Sequence, residues 1–290
     1  MVITATQIKE LRERTGAGMM DCKKALTETG GDLDRAIEEL RKKGVAAAQK
    51  KAGRIAAEGV IVSARNAQAS VLVEVNCETD FVAKDASFQA FCSQVAAAAL
   101  DSSPADVQAL GGCVLDNGET AETVRQKLIA KVGENISVRR FARMEAGDGT
   151  VSSYLHGSRI GVLVKLVNGS AELGRDLAMH VAASRPLCIS EEAMDRAVLD
   201  REQAIYVAQA EESGKPPAIV EKMVQGRVKK FLRENTLMHQ PFVKNTDQSV
   251  GGLLAEAGAS VVDMVRFEAG EGIEKRSDDF VSEVMARAGA

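Results

Sequence analysis

The feature that most constrains the fold is an internal repeat that begins at Glu58. A β-branched apolar run at 58–62 is followed by a second at 71–76, a helical stretch ending at 95–98, and a third run at 136–145. The order then recurs, with runs at 148–151 and 162–168, a helical stretch ending at 180–183, and a last run at 261–268. The tails of the two passes resemble each other: Val138-Arg139-Arg140-Phe141-Ala142-Arg143-Met144-Glu145-Ala146-Gly147-Asp148-Gly149 against Met264-Val265-Arg266-Phe267-Glu268-Ala269-Gly270-Glu271-Gly272. Each half thus offers three strands with a helix over one face, an α+β layer pair rather than an alternating parallel sheet.

Before the repeat, three short helices are expected. Ile8 and Leu11 mark the first stripe, and Gly16-Ala17-Gly18 breaks it. Asp21 is the expected cap of a second helix through Cys22, Ala25 and Leu26; Asp32 that of a third through Leu33, Ala36, Ile37 and Leu40, closed by Gly44. So small a unit buries little surface and is expected to lean on a partner. The Ala-rich stretch 46–57, with Lys50, Lys51 and Arg54, reads as a helical connector.

A helical hairpin interrupts the second half. Ser190 signals the start of a helix carrying Met194, Val198 and Ile205; Gly214-Lys215-Pro216-Pro217 turns the chain; Ile219, Val220, Met223, Val224, Val228 and Phe231 stripe the return. Beyond the last strand, Ser277 is the expected cap of a terminal helix with Phe280, Val281, Val284 and Met285 on one face.

Charge and composition narrow the function. A net charge of −4 argues against a surface for nucleic acid or anionic membrane, which needs clustered Lys and Arg. Five widely spaced cysteines without a C-x-x-C exclude a disulfide scaffold or a recognisable zinc site and read as buried thiols of a reducing cytosol. Residues 1–11 lack an apolar signal segment and no uncharged apolar run reaches membrane-spanning length, so a cytoplasmic location is expected. With no Trp, two Tyr and eight Phe, an exposed Phe would stand out as a contact residue.

Catalytic and cofactor signatures are weak. Gly169 to Gly174 has phosphate-loop spacing, but Arg175 and Asp176 follow where Lys and Ser/Thr are needed. His156, His180 and His239 lie far apart without metal-ligand companions, and His180 reads as a packing residue. Glu78, Asp80 and Asp85 suit helix capping better than acid–base work. The expectation is a protein that is not an enzyme, with no cofactor and no metal.

The stretch from Val71 to Phe91 ends a rigid strand in a polar corner, Thr79-Asp80-Phe81-Val82, before a helix capped by Asp85. Such corners hold side chains in fixed positions suited to gripping another molecule. Phe81 also lies seven residues before Phe88 and fits an extension of that helix's apolar face, while Asp279-Phe280-Val281 repeats the tripeptide inside an ordinary helical pattern.

Several segments together resemble the elongation factor Ts family: 12–26 (Arg12 to Leu26, with Thr15-Gly16-Ala17-Gly18-Met19-Met20-Asp21), Glu74 to Ala83, Gly133-Glu134-Asn135-Ile136, His156 to Val162, His180 to Ser184, Gln240-Pro241-Phe242-Val243 and Arg266-Phe267-Glu268. The resemblance implies a guanine-nucleotide exchange factor for elongation factor Tu, acting on its GDP-bound and nucleotide-free forms. It implies an N-terminal three-helix (UBA-like) module and connector at 1–55, a first core subdomain at 56–147, a second at 148–186 and 236–272, a helical hairpin at 187–235 open to homodimer formation, and a C-terminal module at 273–290. By position, Arg12, Met19 and Met20 would pack on the partner's G domain, and Thr79, Asp80, Phe81 and Val82 would act near its magnesium. Two rivals remain at this point: a small-molecule enzyme of the α+β class using Glu78, Asp80 and His156, and an RNA-associated ribosomal helper using Arg139, Arg140, Lys229 and Lys230.

Overall fold

A computed structural model describes residues 3–212 and 214–274. The expected C-terminal helix beginning at Ser277 lies outside them. The chain divides into two compact units, one of Met1–Val62, Val73–Phe141 and Glu268–Ala290, the other of Ser63–Leu72 and Ala142–Phe267.

The first unit opens with three helices. Thr4 starts α1 (Ala5–Thr15) with a reciprocal cap: its hydroxyl accepts from Gln7 N, and Gln7 Oε1 accepts from Thr4 N at 3.0 Å. Gly16 ends it in the left-handed region at φ +67°. Helix α2 (Met19–Glu28) starts from Gly18, not from Asp21; the aspartate sits inside the first turn, where its charge complements the helix dipole. Asp32 caps α3 (Leu33–Lys51) as expected, accepting from Arg35 N at 3.0 Å. Leu11, Cys22, Ala25, Leu26 and Ala36 form the buried centre of this bundle.

Gly44 does not close α3. The helix runs a further seven residues through it to Lys51, absorbing the first part of the expected connector. A glycine costs about 1 kcal/mol in a helix interior, but Gly44 is buried where α3 packs on α7 (Ala121–Val132), and tertiary packing overrides the local preference. The three-helix bundle therefore leans on its own chain.

The first sheet joins β1 (Glu58–Arg65), β2 (Ala69–Cys77) and β3 (Ile136–Glu145) in that order. Between β2 and β3 come the short helix α4 (Asp80–Ala83), then α5 (Ala86–Ser102), α6 (Val107–Gly112) and α7. The pair α6 and α7 escaped the sequence reading. Every residue of β2 is buried, including Glu74. Its carboxylate accepts from Arg140 Nε at 2.5 Å, Gly270 N at 2.8 Å, Arg139 Nη1 at 3.0 Å and Asn76 Nδ2 at 3.2 Å. Gly270 has φ +76°, and a Cβ there would collide with Ala57 O, so only glycine brings this amide so close.

In the second unit β4 (Thr150–His156) pairs antiparallel with β5 (Ile160–Val167), register Thr150 to Leu166 through His156 to Ile160, and β8 (Ser260–Glu268) lies on the other side of β5. Helix α8 (Ala171–Ser184), capped by Ser170, covers β4 and β5. Val162, Val164, Leu166, Leu177, Val181, Leu237 and Leu254 are its buried core. Both passes of the repeat thus yield three strands and a covering helix, the expected α+β architecture. The antiparallel hairpin is α9 (Arg196–Glu211) and α10 (Pro217–Asn235). Ser190 begins only a 3-10 turn; Asp195, accepting from Ala197 N at 2.8 Å, starts α9. The short strands β6 (Pro241–Phe242) and β7 (Asn245–Ser249) and helix α11 (Val250–Ala257) follow, none of them expected. Of the five cysteines four are buried; Cys113 is half-exposed, because it falls just past the end of α6.

Burial acts to raise the Glu74 pKa, but the Gly270 amide and the two guanidiniums outweigh it and the net shift is downward from 4.5. Its stabilisation is present above that ordinary value and is lost as pH falls through the depressed folded value. Glu74→Gln should therefore cost about 2 kcal/mol or more at neutral pH, where two guanidiniums lose their counter-charge. Urea unfolding should show the gap between variant and wild type closing as the solution is acidified.

Candidate functional site

The corner after β2 is assembled from short-range bonds. Burial pushes the Cys77 thiol up to about 12, so it stays protonated and donates to Thr79 O at 3.1 Å. Thr79 is extended (φ −126°, ψ 157°) and caps the one-turn α4, its hydroxyl accepting from Val82 N at 3.4 Å. Lys84 N then donates to Phe81 O at 3.2 Å and Asp85 N to Val82 O at 3.0 Å, closing the turn. Asp85 caps α5 through Ser87 N at 2.9 Å and Phe88 N at 3.1 Å; it also accepts from Ser87 Oγ, and that bond foremost, with the two amides, holds its carboxyl below the usual range. Phe88, Phe91, Cys92, Val95 and Ala99 follow as the buried stripe read from the sequence.

Two loops brace the corner from outside. Glu134 accepts from Thr79 Oγ at 2.7 Å and from Thr79 N at 3.0 Å. Glu78 accepts in return from Asn135 N at 2.6 Å and from Arg54 Nη1 at 3.5 Å. Asn135 Nδ2 donates to Arg54 O at 2.9 Å. Gly133, left-handed at φ +83°, ends α7 and turns the chain so that Glu134 and Asn135 meet the corner. Glu134 and Asn135 are marked in the sequence only through the Gly133-Glu134-Asn135-Ile136 segment of the family resemblance, which assigns neither of them a role.

Out of this braced turn Val82 and Ala83 point inward and are buried, while Phe81 is 81% exposed. The reading of Phe81 as a continuation of the α5 core is therefore overturned: a one-turn helix and a break at Lys84 and Asp85 put it out of phase with Phe88. Asp80 meets Lys84 Nζ at 2.6 Å, and that hydrogen bond lowers its pKa. The pair is exposed on both sides. Such pairs contribute little to stability and exchange partners readily.

The second group of expected residues lies on the helical module. Met19 and Met20 occupy the first turn of α2, 59% and 73% exposed, and Arg12 is exposed on α1. Two adjacent exposed methionines are unusual for a soluble surface and adapt to varied partners.

Other candidates are spent on structure. His180 is buried, bonded to Gln240 Oε1 at 3.0 Å and accepting from Val243 N at 3.2 Å. Arg139 and Arg140 are drawn to Glu74, whereas Lys230 makes only an exposed pair with Glu234 at 3.7 Å. Among the described residues no group of three or more His, Cys, Asp or Glu is arranged to hold a metal ion, and no helix is long and apolar enough to cross a membrane.

The molecule is thus an α+β protein that holds an acidic and an aromatic side chain outward from a braced strand-to-helix corner. The family model described as "Elongation factor TS" matches residues 78–271, starting at that corner. Curated relatives extend the likeness over the whole chain: elongation factor Ts of Alkalilimnicola ehrlichii is 58% identical over 290 residues (99% of each chain), that of Methylococcus capsulatus 58% over 292 (100% of each), and that of Legionella pneumophila strain Paris 52% over 287 (98% of each). The chain belongs to the elongation factor Ts family, proteins of translation elongation.

The burial contrast sets an internal control. Phe81→Ala should change the urea midpoint by no more than the equivalent of about 0.5 kcal/mol. Phe88→Ala, emptying a fully buried position, should cost about 3–5 kcal/mol.

Proposed function

We propose that this chain is a cytoplasmic guanine-nucleotide exchange factor for elongation factor Tu, binding the GDP form and promoting GDP release by displacing its magnesium. Membership of the elongation factor Ts family supports the role. The observation that carries the mechanism is the exposed ring of Phe81 on a turn that its own chain braces.

A nucleotide held at nanomolar affinity represents about 12 kcal/mol of binding, much of it in phosphate and magnesium contacts. Accelerating its escape by four powers of ten requires only about 5.5 kcal/mol off the barrier. Shifting one magnesium-linked element is enough. Phe81 enters an apolar slot on the partner and displaces the backbone that positions the cation, while Asp80 exchanges Lys84 for a charge-assisted contact on the partner. Thr79 and Val82 fix the turn from beneath. No bond is made or broken on a substrate, so the protein is not an enzyme, and it holds no cofactor.

Linkage makes the effect reciprocal: the factor weakens nucleotide binding by the same ratio as nucleotide weakens the factor's grip. Affinity for the partner then comes from surfaces remote from the cation, among them Arg12, Met19 and Met20. The hairpin, with Ile205 and Ile219 exposed, is the surface offered to a second copy of the chain; sedimentation velocity showing a monomer at every concentration would remove that part of the reading.

Stopped-flow release of a fluorescent GDP from elongation factor Tu, titrated with the factor, separates the two roles. Phe81→Ala should lower the saturating release rate at least tenfold with half-saturation little changed. Met20→Ala should raise the half-saturating concentration several-fold, as loss of buried apolar area does, and leave the plateau intact. A normal plateau with Phe81→Ala would eliminate the wedge.

A further inference from the structure

We propose that Glu134 is a positioning residue for exchange, acting through Thr79 to hold the turn that presents Phe81; this rests on the exchange reading above. Phe81 is 81% exposed, so little of its own packing fixes the ring. Its direction is set by the backbone of a four-residue helix, Asp80–Ala83. So short a helix has almost no stability of its own, since nucleation fixes several residues for very few hydrogen bonds. Something outside the helix must hold it.

Beneath the turn, Val82 and Ala83 are buried and anchor one side. At the start of the turn, Glu134 takes both hydrogen-bonding protons of the cap residue: Thr79 Oγ–H at 2.7 Å and Thr79 N–H at 3.0 Å. With its proton committed to Glu134, the hydroxyl presents a lone pair to Val82 N, the bond that starts the helix. Glu134 therefore fixes both the position of Thr79 and the orientation of its capping oxygen. The Glu78 to Asn135 N bond of 2.6 Å ties the same two loops in the opposite direction, so removing Glu134 loosens the turn without parting the loops. A wedge on a loosened turn still docks, but it transmits less displacement to what it pushes.

The test is the saturation curve for GDP release with Glu134→Ala, Glu134→Gln and Phe81→Ala, singly and as the double variant Glu134→Ala/Phe81→Ala, with thermal unfolding recorded for each. A variant that merely folds less completely reaches the wild-type plateau at a higher total concentration. A positioning residue lowers the plateau itself. The expected result is a plateau about tenfold lower for Glu134→Ala, as for losing two charge-assisted bonds, with half-saturation within about twofold. Glu134→Gln, which still accepts from Thr79 N but bears no charge, should recover part of the loss. The double variant should be no slower than Phe81→Ala, because without the ring there is nothing left to position. A wild-type plateau for Glu134→Ala, or multiplicative losses in the double variant, overturns the role of Glu134 while leaving the wedge standing. A normal plateau for Phe81→Ala instead overturns the exchange mechanism itself.

Discussion

The buried carboxylate of Glu74 is the constraint on which the first unit depends. A charge in the middle of a wholly buried strand is tolerated only because two arginines from β3 and the Gly270 amide surround it. Those partners come from segments distant in sequence, so satisfying one carboxylate fixes β2, β3 and the turn at Gly270 to one another within that unit. A strand held in this way ends in a defined place. The corner at Thr79 inherits that definition, and Glu134 and Glu78 extend it by two more pairs of bonds.

Most of the architecture is legible in the sequence because it rests on local periodicity. The duplicated strand runs give two three-stranded sheets, and the caps at Asp32 and Asp85 fall where short polar side chains precede apolar stripes. The misses have different physical causes, of which one is tertiary packing that no local pattern reveals. Gly44 reads as a stop but lies buried against α7. Asp21 and Ser190 read as caps, yet Gly18 and Asp195 do that work, two candidates standing close enough together that spacing does not choose between them. Helices α6 and α11 are short, with six and eight residues, while α7 buries only Ala121, Leu128 and Ile129 and so presents no regular apolar stripe.

The corner shows the same division. Periodicity favoured a core role for Phe81, and only the likeness to a family pointed outward; the coordinates place the ring in solvent. Glu74 and Glu134 carry no functional signature in the sequence, since a lone glutamate in a strand or loop has none until its partners are known. Arg139 and Arg140, which suggested RNA, turn out to be those partners. A chain that commits Arg139 and Arg140 to an internal carboxylate, leaves two methionines and a phenylalanine outside, and carries a net negative charge is equipped for a protein partner.

The proposed displacement of magnesium makes one demand that a simple docking protein would not. If the factor works by dislodging the cation, removing the cation beforehand leaves it less to do. GDP release from elongation factor Tu, measured at saturating wild-type factor with magnesium present and again with it chelated, should show the acceleration over spontaneous release shrinking at least tenfold on chelation. An acceleration of the same size in both conditions would contradict the mechanism.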